Sequence, residues 1–539
     1  MTTKTAGPLT APPISMPAWP AAPAARSAFV SWIAGTAIAF SVLLMAAVSV
    51  AGPSAVVPAI PRTWPVPPLW LALHPSEVTV TVAIYAAIVL GGLGVGCGLV
   101  AVRRGAKLNL RLLATGAAAA IAVLAILPPA GSTDSLSYAA YGRIAVLGHN
   151  PYVITPAQLR ASGDPIGQQT TRNWAHDPSL YGPVAITSDW LAAELGGTSV
   201  SRIVLWLKLL YGLCFGAIAL ALDRLLRRDP AARARAHLLW TANPLMLWAV
   251  MGGAHIDGLG AVLGLLGLLI ARTATAPADV SPGASPGGQP PRTPFVTSPS
   301  PARALMAGLL VGAAIGVKAP LAPLGIALAW SARHSIKSLA AAALGGAVAL
   351  APGYLIAGPA ALADLLRRSS DLVAFDSFWR LFYSPFGYGA EPAGLELIAA
   401  VACVVMAGLL AWRLPRGPAS LPAIRPAVVL LVAWLLVWPL QRPWYDATAF
   451  CLLAVFPASR LDWLMLVRAV PAAMAMATGA DWQPHPVWLS RLIGLVGYDL
   501  SPALRLAAVV AAVMFCVFGA WQVRRPRPRG LTVGASALS

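Results

Sequence analysis

The chain has 539 residues, of which 58% are hydrophobic and only 11% are charged, a balance typical of a polytopic membrane protein. Its net charge of +19 does not indicate nucleic-acid binding, because the Lys and Arg residues lie in short loops between apolar runs and form no single basic domain. The five cysteines are odd in number and lack metal-ligand spacing, which argues against a disulfide framework and a zinc site.

Repeated apolar runs follow a Pro/Ala/Thr-rich segment, residues 1–27, which has no leading apolar core and is predicted to be a disordered cytoplasmic tail, not a cleavable signal peptide. A helix needs about 20 mainly apolar residues to cross a bilayer. The sequence therefore predicts an all-α polytopic membrane protein with about 14 transmembrane helices, in a range of 12–14. The predicted spans are 28–50, 78–102, 110–130, 203–222, 237–253, 258–272, 303–317, 320–332, 338–357, 394–412, 426–440, 446–458, 462–480 and 504–523.

Two membrane regions are predicted on either side of a Pro/Ser/Gly-rich segment, 272–303, which reads as a flexible cytoplasmic linker. The N-terminal membrane region, 28–271, contains a large external loop at 131–202. The C-terminal membrane region, 304–523, contains an external loop at 358–393 and is followed by a basic cytoplasmic tail, 524–539. Both external loops mix aromatic, acidic and apolar residues, which favours short amphipathic helices on the outer membrane interface.

Basic residues define the predicted orientation. When the loops are assigned alternately to the two sides, about two thirds of the 38 Lys and Arg fall on the side of the N-terminal tail. The positive-inside rule then puts both termini in the cytoplasm and implies an even number of spans. Most of the acidic residues fall on the other side, so the candidates for proton chemistry are predicted to be extracytoplasmic. The predicted location is the plasma membrane.

The stretch GSTDSLSYAAYGR begins where a long apolar run ends. If 133–146 is helical, at about 100° per residue, Asp134, Tyr138 and Tyr141 project within about 60° of one another and Arg143 lies nearly opposite. One interpretation is structural, since Thr133 or Asp134 can cap the helix. The other is functional, since a partly buried carboxylate beside tyrosine hydroxyls can act as a general base toward a hydroxyl-rich ligand.

Two further external segments combine histidine with carboxylates. NWAHDPSLYGPV contains His176, Asp177 and Tyr181, and the short turn MGGAHIDGLG contains His255 and Asp257. Asp, Gly and Pro are common turn formers, so both segments have a structural explanation. An ionisable pair at a tight membrane turn nevertheless needs a partner, which favours a functional role for His255 and Asp257.

Two cations stand near the outer ends of apolar runs. Lys318 interrupts GAAIGVKAPLAPLG, and Arg442 is followed by Trp444 and Tyr445 in WPLQRPWYDATAF. Snorkelling to the interface explains either cation alone. Both cations beside aromatic residues suit a phosphate whose lipid tail remains in the bilayer.

The segments STDSLSYAAYGRIAVLGHNPY, SLYGPVA, GGAHIDGLG and GVKAPLA together resemble the polyprenyl-phosphate-mannose-dependent α-1,6-mannosyltransferases of actinobacterial cell envelopes, which belong to the GT-C class. The resemblance covers most of the chain from about 30 to 520. It departs from the family at Ile256, where relatives tend to have Asn between the His and Asp of the short turn. The resemblance implies a GT-C-like fold and an inverting transfer in which Asp134 deprotonates the acceptor hydroxyl.

The same resemblance suggests roles for the other candidate residues. Lys318, Arg442 and His255 would bind the donor phosphate. No cofactor and no metal site are required, although some GT-C relatives use a divalent cation, to which Asp257 could contribute. The residues expected to bind substrate are Tyr138, Tyr141, Arg143, Asn150, Tyr152, Tyr181, Asp257, Trp444 and Tyr445.

The expected function is transfer of mannose from polyprenyl phosphate mannose to a mannan or lipomannan acceptor, in α-1,6 linkage, on the extracytoplasmic face. The expected partners are this donor, this acceptor and membrane lipid, without nucleic acid. Two alternatives remain: a transporter or flippase of lipid-linked sugars, and a GT-C transferase of another sugar such as arabinose. A transporter would place its ionisable residues near mid-membrane on broken helices.

Overall fold

A computed structural model of the chain describes residues 24–63, 65–170, 174–273, 298–368, 373–383, 394–477, 486–519 and 521. This part of the chain is helical and contains no β-strand, which confirms the predicted all-α class. Most of the predicted N-terminal tail, most of the predicted linker and the whole basic C-terminal tail lie outside the described residues, so their predicted properties stay predictions.

The helices follow one another in chain order, and most of the connections between them are short. The first eleven are α1 (Ala24–Ala51), α2 (Glu77–Arg103), α3 (Leu110–Ile126), α4 (Asp134–Val146), α5 (Pro156–Ala161), α6 (Pro165–Gln168), α7 (Pro183–Gly196), α8 (Val200–Leu225), α9 (Pro230–Ala236), α10 (Pro244–Leu247) and α11 (Asp257–Ile270). The second eleven are α12 (Pro301–Val317), α13 (Ala322–Ala332), α14 (Ile336–Ala357), α15 (Pro359–Arg368), α16 (Arg380–Tyr383), α17 (Leu395–Arg413), α18 (Ile424–Val437), α19 (Asp446–Val455), α20 (Leu461–Ala477), α21 (Val487–Gly494) and α22 (Ser501–Val517). Irregular turns with π geometry occupy His237–Thr241, Trp248–Gly252 and Leu495–Leu500, and single 3₁₀ turns occupy Ala319–Leu321 and Pro443–Tyr445.

Among the described residues, six helices are long and apolar enough to cross a membrane: Ser27–Ala51, Glu77–Arg103, Val200–Leu225, Ile336–Ala357, Leu395–Arg413 and Val487–Val517. A seventh candidate is the pair Pro230–Gly252 and Asp257–Ile270, which is bent by 119° at the GGAHID turn. Helical structure is also found in each of the other predicted spans, but those helices are shorter. The polytopic class is therefore confirmed, whereas the number of about 14 crossings stays a prediction.

The loop at 131–202 forms α4 to α7 and differs in one respect from the amphipathic interface helices that the sequence predicts. Helix α4 is buried on nearly all sides, because it packs against α7 and α8. A side chain at Gly142 would place its Cβ only 2.1 Å from the backbone oxygen of Asp189 in α7. The small residues of α4 thus allow close helix packing, and this packing carries Asp134 into the interior.

Arg235 and Asp462 form a buried ion pair inside the bundle. Arg235 of α9 donates to both carboxylate oxygens of Asp462 of α20, at 2.5 and 2.8 Å. The same guanidinium donates to the backbone oxygen of Phe456 at 2.9 Å. Because a buried charge is costly unless it is paired and hydrogen-bonded, these contacts account for an arginine that is only 6% exposed.

Candidate functional site

The GGAHID turn holds a fully buried imidazole whose tautomer is set by an irregular helical turn. In the π-turn Trp248–Gly252, the amide of Gly253 donates to the oxygen of Trp248 at 2.7 Å. A regular α-turn would direct that amide to Ala249. The Ala249 oxygen instead lies 2.5 Å from Nδ1 of His255. Nδ1 therefore carries the proton of the neutral imidazole by this hydrogen-bond assignment, and Nε2 presents its lone pair.

Asp134 is the first residue of α4 and faces that imidazole. Its Oδ2 lies 3.8 Å from Nε2 of His255 and 3.5 Å from the hydroxyl of Tyr138. Thr133 occupies the N-cap position, as predicted, but its side chain makes no capping hydrogen bond. The hydroxyl of Ser132 instead accepts from the amide of Asp134 at 3.1 Å. The predicted helix over 133–146 is confirmed, and its phase does turn Asp134 toward Tyr138.

Burial raises the pKa of the Asp134 carboxyl above its usual range, and this effect exceeds the opposing attraction of Lys318 and Arg442. The side chain keeps 15% of its surface exposed, so the carboxylate is enclosed and still reachable. A raised pKa makes the carboxylate a stronger base, which suits proton abstraction from a hydroxyl.

Two tyrosines form an aromatic wall beside Asp134. Tyr138 and Tyr181 meet edge to face, with ring centres 5.1 Å apart and hydroxyl oxygens 3.4 Å apart. Tyr181 belongs to the YGP segment, where the amide of Gly182 donates to the oxygen of Val317 at 3.1 Å. Burial raises the pKa of both tyrosines well above 10, so their hydroxyls remain protonated. The wall therefore offers neutral hydrogen-bond donors.

Lys318 lies at the end of α12 and is held by an acid. Its Nζ donates to both carboxylate oxygens of Asp257, each at 3.1 Å. The same ammonium lies over the ring of Tyr445, 4.0 Å from its centre, and 5.4 Å from the centre of Tyr181. The structure thus joins the predicted cation to the predicted acid of the GGAHID turn, although 61 residues separate them in sequence.

The segment from Arg442 to Tyr445 completes the cluster, and we call it the 442–445 turn. The ring of Trp444 stacks on His255, with centres 3.7 Å apart and planes inclined by 15°. The ring of Tyr445 stacks on Trp434 at 5.6 Å. Arg442 donates from Nη1 to the sulfur of Met476 at 3.3 Å, and no carboxylate of the described chain lies within ion-pair distance of its guanidinium. Of the two predicted cations, Arg442 is therefore the one without a described acid partner.

Four predicted substrate residues are engaged elsewhere. The hydroxyl of Tyr141 donates to the backbone oxygen of Asp177 at 3.0 Å, and that of Tyr152 to the backbone oxygen of Tyr181 at 2.9 Å. The amide nitrogen of Asn150 donates to the oxygen of Ala357 at 2.8 Å, and Arg143 pairs with Asp164 at 2.8 Å. These contacts hold the 131–202 loop around the site. Arg143 pairs with Asp164 and not with Asp134, as the helical phase predicted. Whether these residues bind substrate stays a prediction.

Sequence reasoning missed a polar group behind the 442–445 turn. Arg468 of α20 is 1% exposed and contacts Asp446 and Gln441. In the sequence, Arg468 is an arginine within the predicted span 462–480, and this position alone does not indicate what it binds. Its partners lie 22 and 27 residues away in the sequence, so only the packing of α20 reveals them.

No three His, Cys, Asp or Glu side chains of the described residues form a group that could hold a metal ion. Both oxygens of Asp257, the residue suggested as a metal ligand, accept from Lys318. The possible divalent cation therefore stays a prediction, and no step of the proposed reaction is assigned to it.

Comparison with known proteins places this chain within one family. Residues 41–334, more than half of the chain, match the family described as "Alpha-(1->6)-mannopyranosyltransferase, N-terminal domain". The chain belongs to this family. The matched region includes Asp134, Tyr138, Tyr181, His255 and Lys318, whereas the 442–445 turn lies beyond it.

Individual relatives in this mannopyranosyltransferase family are moderately similar. A probable alpha-(1->6)-mannopyranosyltransferase of Mycolicibacterium smegmatis is 32% identical over 150 residues, which cover 28% of this chain and 26% of the relative. An alpha-(1->6)-mannopyranosyltransferase of Mycobacterium tuberculosis is 31% identical over 143 residues, covering 26% and 24%. Alpha-(1->6)-mannopyranosyltransferase B of Corynebacterium glutamicum is 27% identical over 167 residues, covering 31% and 27%. Each match thus spans about a quarter of the relative's length.

Proposed function

We propose that this chain is an inverting α-1,6-mannosyltransferase that moves mannose from polyprenyl phosphate mannose to a mannan or lipomannan acceptor. The observation that carries the proposal is the Asp134 carboxylate, enclosed by Tyr138 and His255 and under the electrostatic influence of Lys318 and Arg442. The family membership and the printed names of the relatives support mannose as the sugar and α-1,6 as the linkage. The donor carrier, the acceptor and the extracytoplasmic face are parts of the proposal.

The proposed step conserves protons and charge. The acceptor hydroxyl oxygen attacks the anomeric carbon of mannose from the face opposite the phosphate, and a new carbon–oxygen bond forms. The bond from the anomeric carbon to the phosphate oxygen breaks, and its electron pair leaves with the lipid phosphate. Asp134 takes the hydroxyl proton. A β-linked donor thereby gives an α-linked product.

Arg442 and Lys318 differ in how much positive charge they can offer to the donor phosphate. The lipid phosphate gains a negative charge as it departs, and a cation near that oxygen stabilises the transition state. Arg442 is suited to this contact, because no carboxylate of the described chain pairs with it and a guanidinium can bind two phosphate oxygens. Lys318 is already neutralised by Asp257, so its contribution to the phosphate is the smaller one.

His255 is better placed to assist Asp134 than to donate to the phosphate. Its Nδ1 proton is used by the Ala249 oxygen, and its Nε2 has no hydrogen-bond partner among the described residues. Once Asp134 is protonated, its carboxyl can donate to that lone pair. Burial lowers the pKa of His255 to about 3, so the proton stays on the Asp134 carboxyl, and this hydrogen bond would stabilise the protonated base until the product leaves.

A lipid-linked sugar transporter is the second candidate, and one observation favours it. The site includes the break between Pro230–Gly252 and Asp257–Ile270, and transporters place ionisable residues on such broken helices. The family match favours the transferase, because the matched proteins carry mannosyltransferase names.

Isolated membranes containing the chain, supplied with a panel of polyprenyl-phosphate sugars and a short mannoside acceptor, test the proposal. We expect an acceptor lengthened by one α-1,6-linked mannose, formed from the mannose donor only. Transfer of arabinose or glucose instead would correct the sugar. Movement of the intact donor across sealed vesicles without any lengthened acceptor would replace the transferase by the transporter.

A further inference from the structure

The 442–445 turn touches both sides of the candidate site. Helix α18 ends at Val437 and α19 begins at Asp446, and the turn lies in the short connection between them. Trp444 stacks on the imidazole that faces Asp134, and Tyr445 contacts the ammonium of Lys318. A small displacement of this connection would therefore change the surroundings of the base and of both cations together.

Arg468 of α20 holds the residues on both flanks of this turn. Its Nη2 donates to the side-chain oxygen of Gln441 at 2.5 Å, and its Nη1 donates to the carboxylate of Asp446. Its Nε donates to the oxygen of Leu435 near the end of α18 at 2.9 Å. Gln441 in turn donates from Nε2 to the oxygen of Trp434 at 2.8 Å. One guanidinium thus ties the end of α18, the residue before the turn and the residue after it.

Stability alone is a weak explanation for this arginine. Arg468 is 1% exposed and Asp446 is 0% exposed, and burying both charges carries a large desolvation cost. Replacing a buried ion pair by apolar residues of similar volume is often neutral or stabilising. What an apolar pair cannot reproduce is the fork of donors that fixes three acceptors in one geometry.

We propose that Arg468 is a positioning residue, which fixes the 442–445 turn through Gln441 and Asp446 so that Trp444 and Arg442 hold their places in the site. The proposal rests on the function proposed above for the purpose of that positioning. The local ordering of the turn is independent of it. Arg468 touches no reacting group and acts only through the residues that it binds.

The test replaces the pair without leaving a buried charge behind. The double variant Arg468→Met, Asp446→Leu is compared with a matched control, Arg235→Met, Asp462→Leu. The control removes another buried arginine–aspartate pair that also involves α20. Asp462 also lies 3.8 Å from the partly exposed Arg103, and none of these residues contacts the candidate site. We expect both variants to fold, and the first to lose about 10- to 100-fold in kcat/KM with a raised KM for the lipid donor, while the control keeps its activity.

A second measurement separates the positioning from the proposed reaction. Hydrogen exchange of the backbone amides from 438 to 447 should be at least about tenfold faster in the first double variant and unchanged in the control. Unchanged exchange there overturns the proposal whatever the activity. Equal loss of activity in both variants also overturns it, because the cause would then be the loss of any buried pair. Absence of transfer in the unaltered chain refutes the reaction and leaves the exchange result to decide the positioning.

If the first double variant does not fold, the single variant Gln441→Met tests whether the turn is positioned through its flanking residues. It removes one flank of the turn and keeps the Arg468 and Asp446 pair. We expect faster exchange at 438–447 and a raised KM for the donor with a smaller change in kcat. Normal exchange and normal kinetics in this variant would overturn the proposal.

Discussion

Asp134 and His255 depend on each other at the level of single atoms. The imidazole offers a lone pair toward a carboxylate at 3.8 Å, an arrangement without a hydrogen bond while Asp134 is ionised. A proton arriving on either group gives the pair a donor and an acceptor. The resting site is therefore ready to receive a proton, which is the property that a general base requires.

Asp134→Asn should remove the proposed base while leaving the fold intact. We expect transfer to fall by roughly 10²- to 10⁴-fold, the usual contribution of general-base catalysis. The folded-state pKa of Asp134 is raised, so the stability that this group contributes is present below its unfolded pKa and is lost as pH rises through the folded pKa. At neutral pH the Asn variant should therefore unfold at the same or a higher temperature than the original chain.

Asp189→Asn is the matched control for that variant. Asp189 is 0% exposed, neither of its carboxylate oxygens has a hydrogen-bond partner among the described residues, and burial raises its pKa well above the usual range. The control should keep its transfer activity and show a similar change in stability. Normal turnover by Asp134→Asn, or equal loss in both variants, would contradict the assignment of Asp134 as the base.

The pH dependence of transfer should follow the raised pKa of Asp134. Because the base must be ionised, kcat/KM should fall as pH decreases through that pKa, with a midpoint above the ordinary aspartate value of about 3.9. Arg442 lowers this pKa by charge attraction, so Arg442→Gln should move the acid limb to higher pH. A pH profile of kcat/KM for both proteins measures the shift. An acid limb that stays in place or moves to lower pH would contradict the prediction.

The sequence predicted contacts between residues that are close along the chain, but it did not predict contacts between residues that are far apart. Helical phase was enough to bring Asp134 to Tyr138, because four residues separate them. The approach of His255 to Asp134 depends on how the broken helix before α11 packs against α4, and no local pattern specifies that. The pairing of Lys318 with Asp257 could not be predicted for the same reason, although the sequence had indicated each of them as a candidate site residue.

Helices α7 and α12 meet through backbone at the YGP segment. A Cβ at Gly182 would lie 2.2 Å from the carbonyl oxygen of Gly316. Such a contact leaves no room for a side chain. The close approach therefore links the position of Tyr181, just before α7, to the position of Lys318, just after α12.

Gly182→Ala should separate these two helices. We expect a loss of about 1–3 kcal/mol in the free energy of unfolding, because the added methyl group has no space, and a fall in transfer because Tyr181 moves. Gly408→Ala in α17 is the control, since its Cβ would meet nothing within 4 Å. An alanine there should stabilise the helix by about 0.5–1 kcal/mol. Thermal unfolding in detergent and the membrane transfer assay check both variants, and equal behaviour would show that the contact does not matter.

The lengths of the apolar runs predicted the positions of the helices well, because each predicted span coincides with helical structure. It could not predict that α4 is buried, since α4 is mixed in polarity and its environment comes from neighbours outside its own sequence. Nor could it predict the π-turns before α11, because their irregular hydrogen bonds depend on the packing around them.

The whole molecule has a predicted orientation that follows from its basic residues. The segment RRGAKLNLR, with exposed Lys107, is expected in the cytoplasm, and Ser162 of the 131–202 loop is expected outside. Ser285 of the linker, also expected in the cytoplasm, lies outside the described residues. If the orientation is correct, the candidate site opens to the extracytoplasmic side, where a lipid-linked sugar could reach it.

Cysteine labelling of intact cells tests this orientation. In a background without the five native cysteines, a membrane-impermeant maleimide should modify Ser162→Cys, but not Lys107→Cys or Ser285→Cys. Lysed cells should show labelling of all three, which controls for accessibility. Labelling of Lys107→Cys in intact cells, with protection of Ser162→Cys, would reverse the orientation.

The π-turn at Trp248–Gly252 makes the site sensitive to the number of residues in the chain as well as to their identity. Deleting one residue between Ala249 and Gly253 would restore regular α pitch. The Gly253 amide would keep Trp248 as its acceptor, now four residues back, and the next amide, that of Ala254, could bond to the carbonyl of Ala249. That bond would use the acceptor that now holds Nδ1 of His255. The imidazole could then carry its proton on either nitrogen, and Asp134 would lose a neighbour that is always ready to accept. A single-codon deletion could thus disturb the proton chemistry while every proposed catalytic side chain remained present.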